Sequence, residues 1–273
     1  MRHVAVAVVL LVLLGSSGAR GEDATATDAS PPPDAPPPFL HDSAAGGDHW
    51  RFDTPRGPVH VWIPPDYDAA TAGIVIYVHG HIHTVDQAWS GHRLAEQFLA
   101  SQQNALFIAP EAPISRRDGI KWPSLAGLLR EVRRQTKLIR PWGHVVAIGH
   151  SGAYTTILRW LGHRDLDTVI LLDGLYGHED NFEHWLYRSP GSSDKRMIVV
   201  AADTLRWSEP FARRNRGIEA LDVVPASYDE VPAEVRRAKV VYMRSQYQHM
   251  EMVSEAKVIP VALRLSRLKR LGE

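Results

Sequence analysis

One stretch of the sequence decides the fold: Val145-Val146-Ala147-Ile148-Gly149-His150-Ser151-Gly152-Ala153. It begins with an apolar run typical of a buried strand, and residues 154–161 beyond it carry apolar side chains at helical spacing. A serine hydroxyl is a poor nucleophile at neutral pH, so it must stand clear of the sheet where a base can reach it. A sharp turn achieves this if small residues lie two positions before and after the serine, where Gly149 and Ala153 stand. The stretch therefore predicts a strand, a tight turn that presents Ser151, and a helix.

Composition limits the classes of protein that this chain can be. It has 273 residues, of which 44% are hydrophobic, enough for one large α/β domain or two small ones. Lys+Arg and Asp+Glu both number 31, so no overall field would attract nucleic acid or an acidic membrane. The sequence contains no cysteine, which excludes disulfides, thiolate nucleophiles and cysteine-ligated zinc.

The first 47 residues predict export rather than a folded core. Residues 1–21 combine a basic start, an apolar core and small residues, which is the pattern of a secretory signal peptide. The apolar core is too short to span a bilayer comfortably, so we expect cleavage without stable membrane insertion, and an uncleaved anchor is the alternative. Residues 22–47 contain two proline triplets and predict a disordered, extended tether. We expect a secreted or periplasmic protein whose folded domain covers residues 48–273.

Strand and helix patterns alternate through that domain. Eight strands are predicted, over residues 50–52, 59–63, 73–78, 105–109, 145–148, 169–172, 197–202 and 239–243. The first two predict a hairpin, and the later ones are continuous apolar runs, as in strands buried on both faces. Thr84 and Ser124 are the predicted N-caps of two intervening helices. This order predicts a mostly parallel sheet covered on both faces, with at most a small lid over residues 175–194 or 204–238.

The pentapeptide Gly149-His150-Ser151-Gly152-Ala153 resembles the G-x-S-x-G nucleophile elbow of the α/β-hydrolase family, with alanine in place of the last glycine. The order of elements resembles that fold too, because the elbow follows the fifth of eight strands. The resemblance covers about residues 51–271. It implies an α/β-hydrolase fold and a serine hydrolase whose serine, acid and histidine follow in that chain order.

The resemblance implies a catalytic histidine in the loop after the last strand, where His249 stands. Two aspartates, Asp173 and Asp203, close earlier strands and compete to orient it. The family usually places the acid after the seventh strand, which favours Asp203. Some lipases instead place it at the end of the sixth strand, and Leu172-Asp173-Gly174 resembles that variant. We prefer Asp173 and keep Asp203 as the alternative.

The resemblance also implies an oxyanion hole of two backbone N–H groups. One belongs to Gly152, directly after the nucleophile. The other follows the third strand, where His79-Gly80-His81 resembles the His-Gly-x of the family. We assign this second donor to His81, with Ile82 the alternative by one step of register. His79, His81 and His83 also alternate like metal ligands, but the elbow explains more of the chain, so we predict no metal and no cofactor.

Together these features predict a serine hydrolase that cleaves carboxylic esters of small-molecule or lipid-like substrates through an acyl-enzyme. An elbow does not distinguish esters from amides, so an amidase or peptidase is the nearest alternative. A non-catalytic binding protein with the same fold and a metal-dependent hydrolase built on the three alternating histidines are the others. Five aromatic side chains are candidates for the pocket, although core positions are the commoner fate of such residues: Trp89, Trp122, Tyr176, Trp185 and Trp207.

Overall fold

The computed structural model describes residues 37–215 and 217–273, and the predicted signal peptide and most of the predicted tether lie outside them. The described strands are β1 (Phe39–Ala44), β2 (Gly47–Phe52), β3 (Val59–Ile63), β4 (Gly73–Val78), β5 (Ala105–Pro110), β6 (Val145–His150), β7 (Leu166–Leu172), β8 (Arg196–Ala201), β9 (Ile218–Leu221) and β10 (Val240–Arg244). The described helices are α1 (Val85–Gly91), α2 (Leu94–Ser101), α3 (Leu125–Thr136), α4 (Tyr154–Trp160), α5 (Glu179–Tyr187), α6 (Leu205–Arg214), α7 (Ala233–Arg237), α8 (Glu251–Ser254) and α9 (Val258–Arg264).

All of these strands form one sheet in the order β1-β2-β3-β5-β4-β6-β7-β8-β10-β9. Pairing is antiparallel from β1 through β3 to β5 and parallel from β5 to β9. The alternation of strands and helices and the mostly parallel sheet are as predicted. The predicted number of eight strands is wrong, because the described residues form a sheet of ten strands. The two additional strands are β1 and β9, one at each edge.

Strand β1 lies where the sequence predicted disordered tether. It pairs antiparallel with β2 through a two-residue connection, Ala45 and Gly46, both with positive φ, as hairpin turns of this length require. The His41 ring stacks on Trp50 at 4.5 Å, and the indole N–H of Trp62 donates to the Ala44 carbonyl at 2.8 Å. The described sheet therefore begins at Phe39, ahead of the predicted start of the domain at residue 48. The six residues of β1 do not alternate between apolar and polar side chains, and they adjoin a proline-rich segment, which hid the strand.

Strand β9 lies in one of the segments considered as a lid. Its four residues are mostly half-buried and pair only with β10 among the described strands. A strand this short carries too few residues for a period-two pattern to be recognised. The lid segment over 204–238 thus contributes α6, an edge strand and α7.

Helices cover both faces of the sheet, which accounts for the continuous apolar runs. Neighbouring residues of β4 point to opposite cores, with Ile74 and Ile76 in one and Val75 and Tyr77 in the other. The predicted N-caps are confirmed: the Thr84 side chain accepts from the backbone of α1 in a capping box, and Ser124 caps α3. Among the described residues, no helix is both long and apolar enough to cross a bilayer.

A chain of hydrogen-bonded polar side chains ties the antiparallel edge to α1. Asp42 contacts His49 at 2.7 Å, His49 contacts His60 at 2.9 Å, and His60 contacts Asp86 at 2.7 Å. Arg51 also donates to both oxygens of the Asp86 carboxylate. Burial would raise the pKa of Asp86, but the hydrogen bonds from His60 and Arg51 outweigh it and hold that pKa well below its usual range.

Candidate active site

The predicted strand, turn and helix are present around Ser151. Strand β6 ends at His150, a single 3₁₀ turn spans Ser151–Ala153, and α4 follows. Ser151 has φ +53°, a left-handed conformation that is strained for a non-glycine residue and typical of functional turns. A Cβ at Gly149 would lie 2.6 Å from Ile157 and 3.3 Å from Ala153, so the turn closes tightly on its helix. The small residues that the sequence singled out are therefore a steric requirement.

Asp173 follows β7 and is held by several donors. Its carboxylate is fully buried and accepts from the backbone N–H groups of Ala202 at 3.0 Å, Asp203 at 3.2 Å and Thr204 at 2.9 Å. The Thr204 hydroxyl donates to it as well, at 2.8 Å. Burial would raise the pKa of Asp173, but hydrogen bonds from His249, Ala202 and Thr204 outweigh it and hold that pKa far below its usual range. The side chain is therefore a carboxylate at neutral pH.

His249 lies in the loop after β10, as predicted, and its Nδ1–H donates to the Asp173 carboxylate at 2.6 Å. A second contact, which the sequence did not suggest, positions this loop: His150 donates from Nε2 to the His249 carbonyl at 3.0 Å, with the two rings 4.5 Å apart. Burial, aided by the nearby His249 and His92, lowers the pKa of His150 to about 3. A neutral His150 beside the elbow therefore holds the His249 loop against the end of β6.

Asp203, the alternative acid, is exposed and also lies at this site. One carboxylate oxygen of Asp203, one of Asp173 and one ring nitrogen of His249 lie within 4.8 Å of one another. The ring of His249 bonds to the carboxylate of Asp173, and the backbone N–H of Asp203 donates to that same carboxylate. The structure thus brings both aspartates to the histidine and gives them different environments.

The residues predicted for the oxyanion hole lie together beside Ser151. A Cβ at Gly152 would lie 2.4 Å from the His81 ring, and one at Gly80 would lie 2.9 Å from the Ser151 Cβ. The loop after β4 therefore passes directly over the elbow, and a Cβ at Gly152 or Gly80 would force the His81 ring or the Ser151 side chain to shift. Burial lowers the pKa of His81, and the charge of Arg116 lowers it further.

The three alternating histidines do not converge. His79 uses both ring nitrogens within the protein, since Nδ1–H donates to the Gly80 carbonyl at 2.8 Å and Nε2 accepts from the Ala112 N–H at 2.9 Å. His83 instead packs edge-on against His92, 5.7 Å away. The segment is a loop in which Ile82 has φ +86°, so the alternation that a strand would give is lost. Within residues 37–215 and 217–273, the cluster with metal-ligand geometry is Asp173, Asp203 and His249.

A cavity of about 580 Å³ opens beside the elbow. Its lining includes Ser151, Gly152 and His81 together with two of the five predicted aromatic side chains, Tyr176 and Trp207. Tyr154, which was predicted only as a helix residue, lines it too. Burial raises the pKa of Tyr176, an effect partly offset by its hydrogen bond with Ser151.

The other three aromatic candidates pack elsewhere. Trp122 and Trp185 are buried in the core. Trp89 stacks on the rings of His49 and His60, at 4.6 and 4.7 Å. Further cavity-lining residues that sequence reasoning missed are Arg116 and Arg206, which stand in loop and helix segments without a recognisable pattern.

No protein-family model matches the chain, and no curated protein matches it significantly. Solved structures do. A structure of FAE has a TM-score of 0.55 at 11% identity, covering 88% of this chain and 96% of that one. A ferulic acid esterase has 0.52 at 12% identity, covering 83% and 98%. An S-formylglutathione hydrolase from Agrobacterium tumefaciens has 0.50 at 11% identity, covering 82% and 98%. These likenesses, with the sheet order and the elbow, show that the chain has the α/β-hydrolase fold.

Proposed function

We propose that the protein is a serine hydrolase that cleaves carboxylic esters through an acyl-enzyme. The observation that carries this proposal is the 2.6 Å hydrogen bond from His249 to the buried Asp173 carboxylate. That bond assigns the proton to Nδ1 of His249 and leaves Nε2 as the acceptor that a general base needs. The strained Ser151 stands on the adjoining elbow, against which His150 holds the His249 loop.

In this mechanism the Ser151 oxygen attacks the ester carbonyl while His249 takes the hydroxyl proton. The tetrahedral intermediate expels the alcohol, which receives that proton from His249. Water then attacks the acyl-enzyme, gives a proton to His249, and releases the acid as Ser151 recovers its hydrogen. Asp173 stabilises the imidazolium in both halves of the cycle.

The backbone N–H groups of Gly152 and His81 are the proposed donors to the developing oxyanion. Each would contribute on the order of 3 kcal/mol to transition-state stabilisation. The close packing of the His81 ring on Gly152 supports this pairing, because it holds the two segments together beside Ser151. Ile82 remains the alternative donor in this loop.

Asp173 is the proposed acid in preference to Asp203. A buried carboxylate with several donors is held in one orientation, whereas the exposed Asp203 side chain has water as a competing partner. Ester hydrolysis is preferred to amide hydrolysis because proteins with this fold at a TM-score of 0.50 or above include a ferulic acid esterase and an S-formylglutathione hydrolase. The sequence of the first 21 residues supports a secreted or periplasmic location.

The test compares Ser151→Ala with a matched control, Ser90→Ala, whose serine is exposed on α1. The wild type and the control should react with a fluorophosphonate probe and hydrolyse short aryl esters. Ser151→Ala should lose labelling and at least about a thousandfold in kcat/KM. Full activity in Ser151→Ala would contradict the proposal, and chelator-sensitive activity in that variant would select a metal-dependent hydrolase. A folded wild type that neither labels nor hydrolyses would select a binding protein.

A further inference from the structure

The cavity beside Ser151 is lined by two arginines, Arg116 and Arg206. Within the described part of the chain, neither forms an ion pair with a carboxylate. The lining also contains one acidic residue, Asp118, whose carboxylate accepts from the backbone N–H groups of Ile114 and Ser115 at 3.0 Å each. Both arginines are exposed to solvent, and with Asp118 counted the lining carries a formal excess of one positive charge.

Arg206 is held in a defined place. Its guanidinium carbon lies 3.7 Å from the centroid of the Trp207 ring, a stacked cation–π contact. Trp207 in turn packs edge-on against Tyr176, with centroids 5.2 Å apart. Stacking occupies the face of the guanidinium and leaves its in-plane N–H groups free to donate to a planar anion. The contact thus reduces the side-chain entropy that Arg206 would lose on binding.

Arg116 lies in the loop after β5 and lines the same cavity. Its charge contributes to the pKa shifts of both His81 and Tyr176, so it lies near the oxyanion loop and the aromatic wall at once. Tyr176 also packs against Tyr154, with centroids 5.8 Å apart. The cavity therefore combines an aromatic wall with two cations close to the proposed nucleophile.

We infer that the substrate of this site is an ester that carries a negatively charged group, such as a carboxylate, on its acyl or its alcohol part. Arg116 and Arg206 would bind that group, and the wall of Tyr154, Tyr176 and Trp207 would pack against the body of the molecule. This inference rests on the proposed serine hydrolase function, and it adds a charge requirement that neither the elbow nor the fold implies.

The experiment uses two pairs of esters, and each pair compares a free carboxylate with its neutral methyl ester. In the first pair, para-acetoxybenzoate carries the carboxylate on its alcohol part. In the second pair, the mono-para-nitrophenyl ester of adipic acid carries it on the acyl part. The readout is the ratio of kcat/KM for the charged to the neutral ester. We expect at least about a tenfold preference for the charged member of one pair, which decreases with added KCl.

Variants assign that preference to residues. Arg206→Gln and Arg116→Gln should each lower the ratio by about threefold to tenfold, and the double variant should bring it near unity. The matched control is Arg213→Gln, which removes an equal charge from the same helix, α6, at a position outside the cavity lining. It should leave the ratio unchanged.

Two failures are distinguishable. Hydrolysis that depends on Ser151 but shows no charge preference in either pair would overturn this inference and leave the proposed function in place. So would a preference that survives in the double arginine variant. Absence of Ser151-dependent hydrolysis for all four esters would overturn the proposed function and this inference with it.

Discussion

Replacing Asp173 by asparagine tests the proposed acid with almost no change in side-chain volume. One oxygen of the carboxylate accepts from Ala202 N–H, Thr204 N–H and the Thr204 hydroxyl, and the other accepts from Asp203 N–H and His249. An asparagine keeps the most hydrogen bonds if its carbonyl takes the first position. Its NH₂ group then faces two donors where an acceptor stood.

Two consequences follow from placing an NH₂ group, which donates, where a carboxylate oxygen accepted. The N–H of Asp203 loses its acceptor, which costs about 1–3 kcal/mol in the free energy of unfolding. His249 keeps a hydrogen bond only by placing its proton on Nε2, so that Nδ1 can accept from the amide. In that tautomer Nε2 cannot take the proton of Ser151. The loss in kcat should therefore be about 10⁴-fold, or about 5.5 kcal/mol of transition-state stabilisation.

The assays are kcat on a short aryl ester, the rate of fluorophosphonate labelling, and unfolding in urea. The matched control is Asp203→Asn, which changes an exposed carboxylate of the same cluster and should cost less than about tenfold in kcat. The reasoning would be refuted if Asp173→Asn kept activity within tenfold of the wild type, or if Asp203→Asn lost as much as Asp173→Asn.

Three further predictions concern the elbow, the polar network and the hairpin edge. Gly152→Ala places a Cβ 2.4 Å from the His81 ring and should lower kcat by about 100-fold in an ester assay, and an unchanged kcat would contradict the steric argument. The pKa of Asp86 is depressed in the fold, so its contribution to stability is present above about pH 4 and lost as the pH falls below that value. Asp86→Asn should therefore flatten the fall in urea midpoint between about pH 5 and pH 3, and a fall as steep as in the wild type would show the network to be irrelevant. Trp62→Ala removes a fully buried indole whose N–H donates to the Ala44 carbonyl, so it should lower the free energy of unfolding in urea by about 3–5 kcal/mol. A loss below about 1 kcal/mol would contradict this prediction.

Local sequence patterns predicted much of the fold. The apolar run before Ser151, the small residues around it and the caps at Thr84 and Ser124 each report on a few neighbouring residues, and the structure contains all of these elements. The patterns failed at the edges of the sheet. Strands β1 and β9 are short, lie at the edges of the sheet and are exposed or half-buried, so their own residues carry little periodicity.

The sequence by itself determined a mostly parallel α/β sheet, a tight turn that presents Ser151, and the strand ends that carry Asp173, Asp203 and His249. These features depend on short-range sterics and on burial, which neighbouring residues express directly. Only the tertiary structure decided which aspartate contacts His249, that His150 donates a hydrogen bond to the His249 carbonyl, and that two arginines line the cavity. Those outcomes depend on distances between loops that follow different strands, because the order of the strands in the sheet, and not their order in the chain, sets which loops meet.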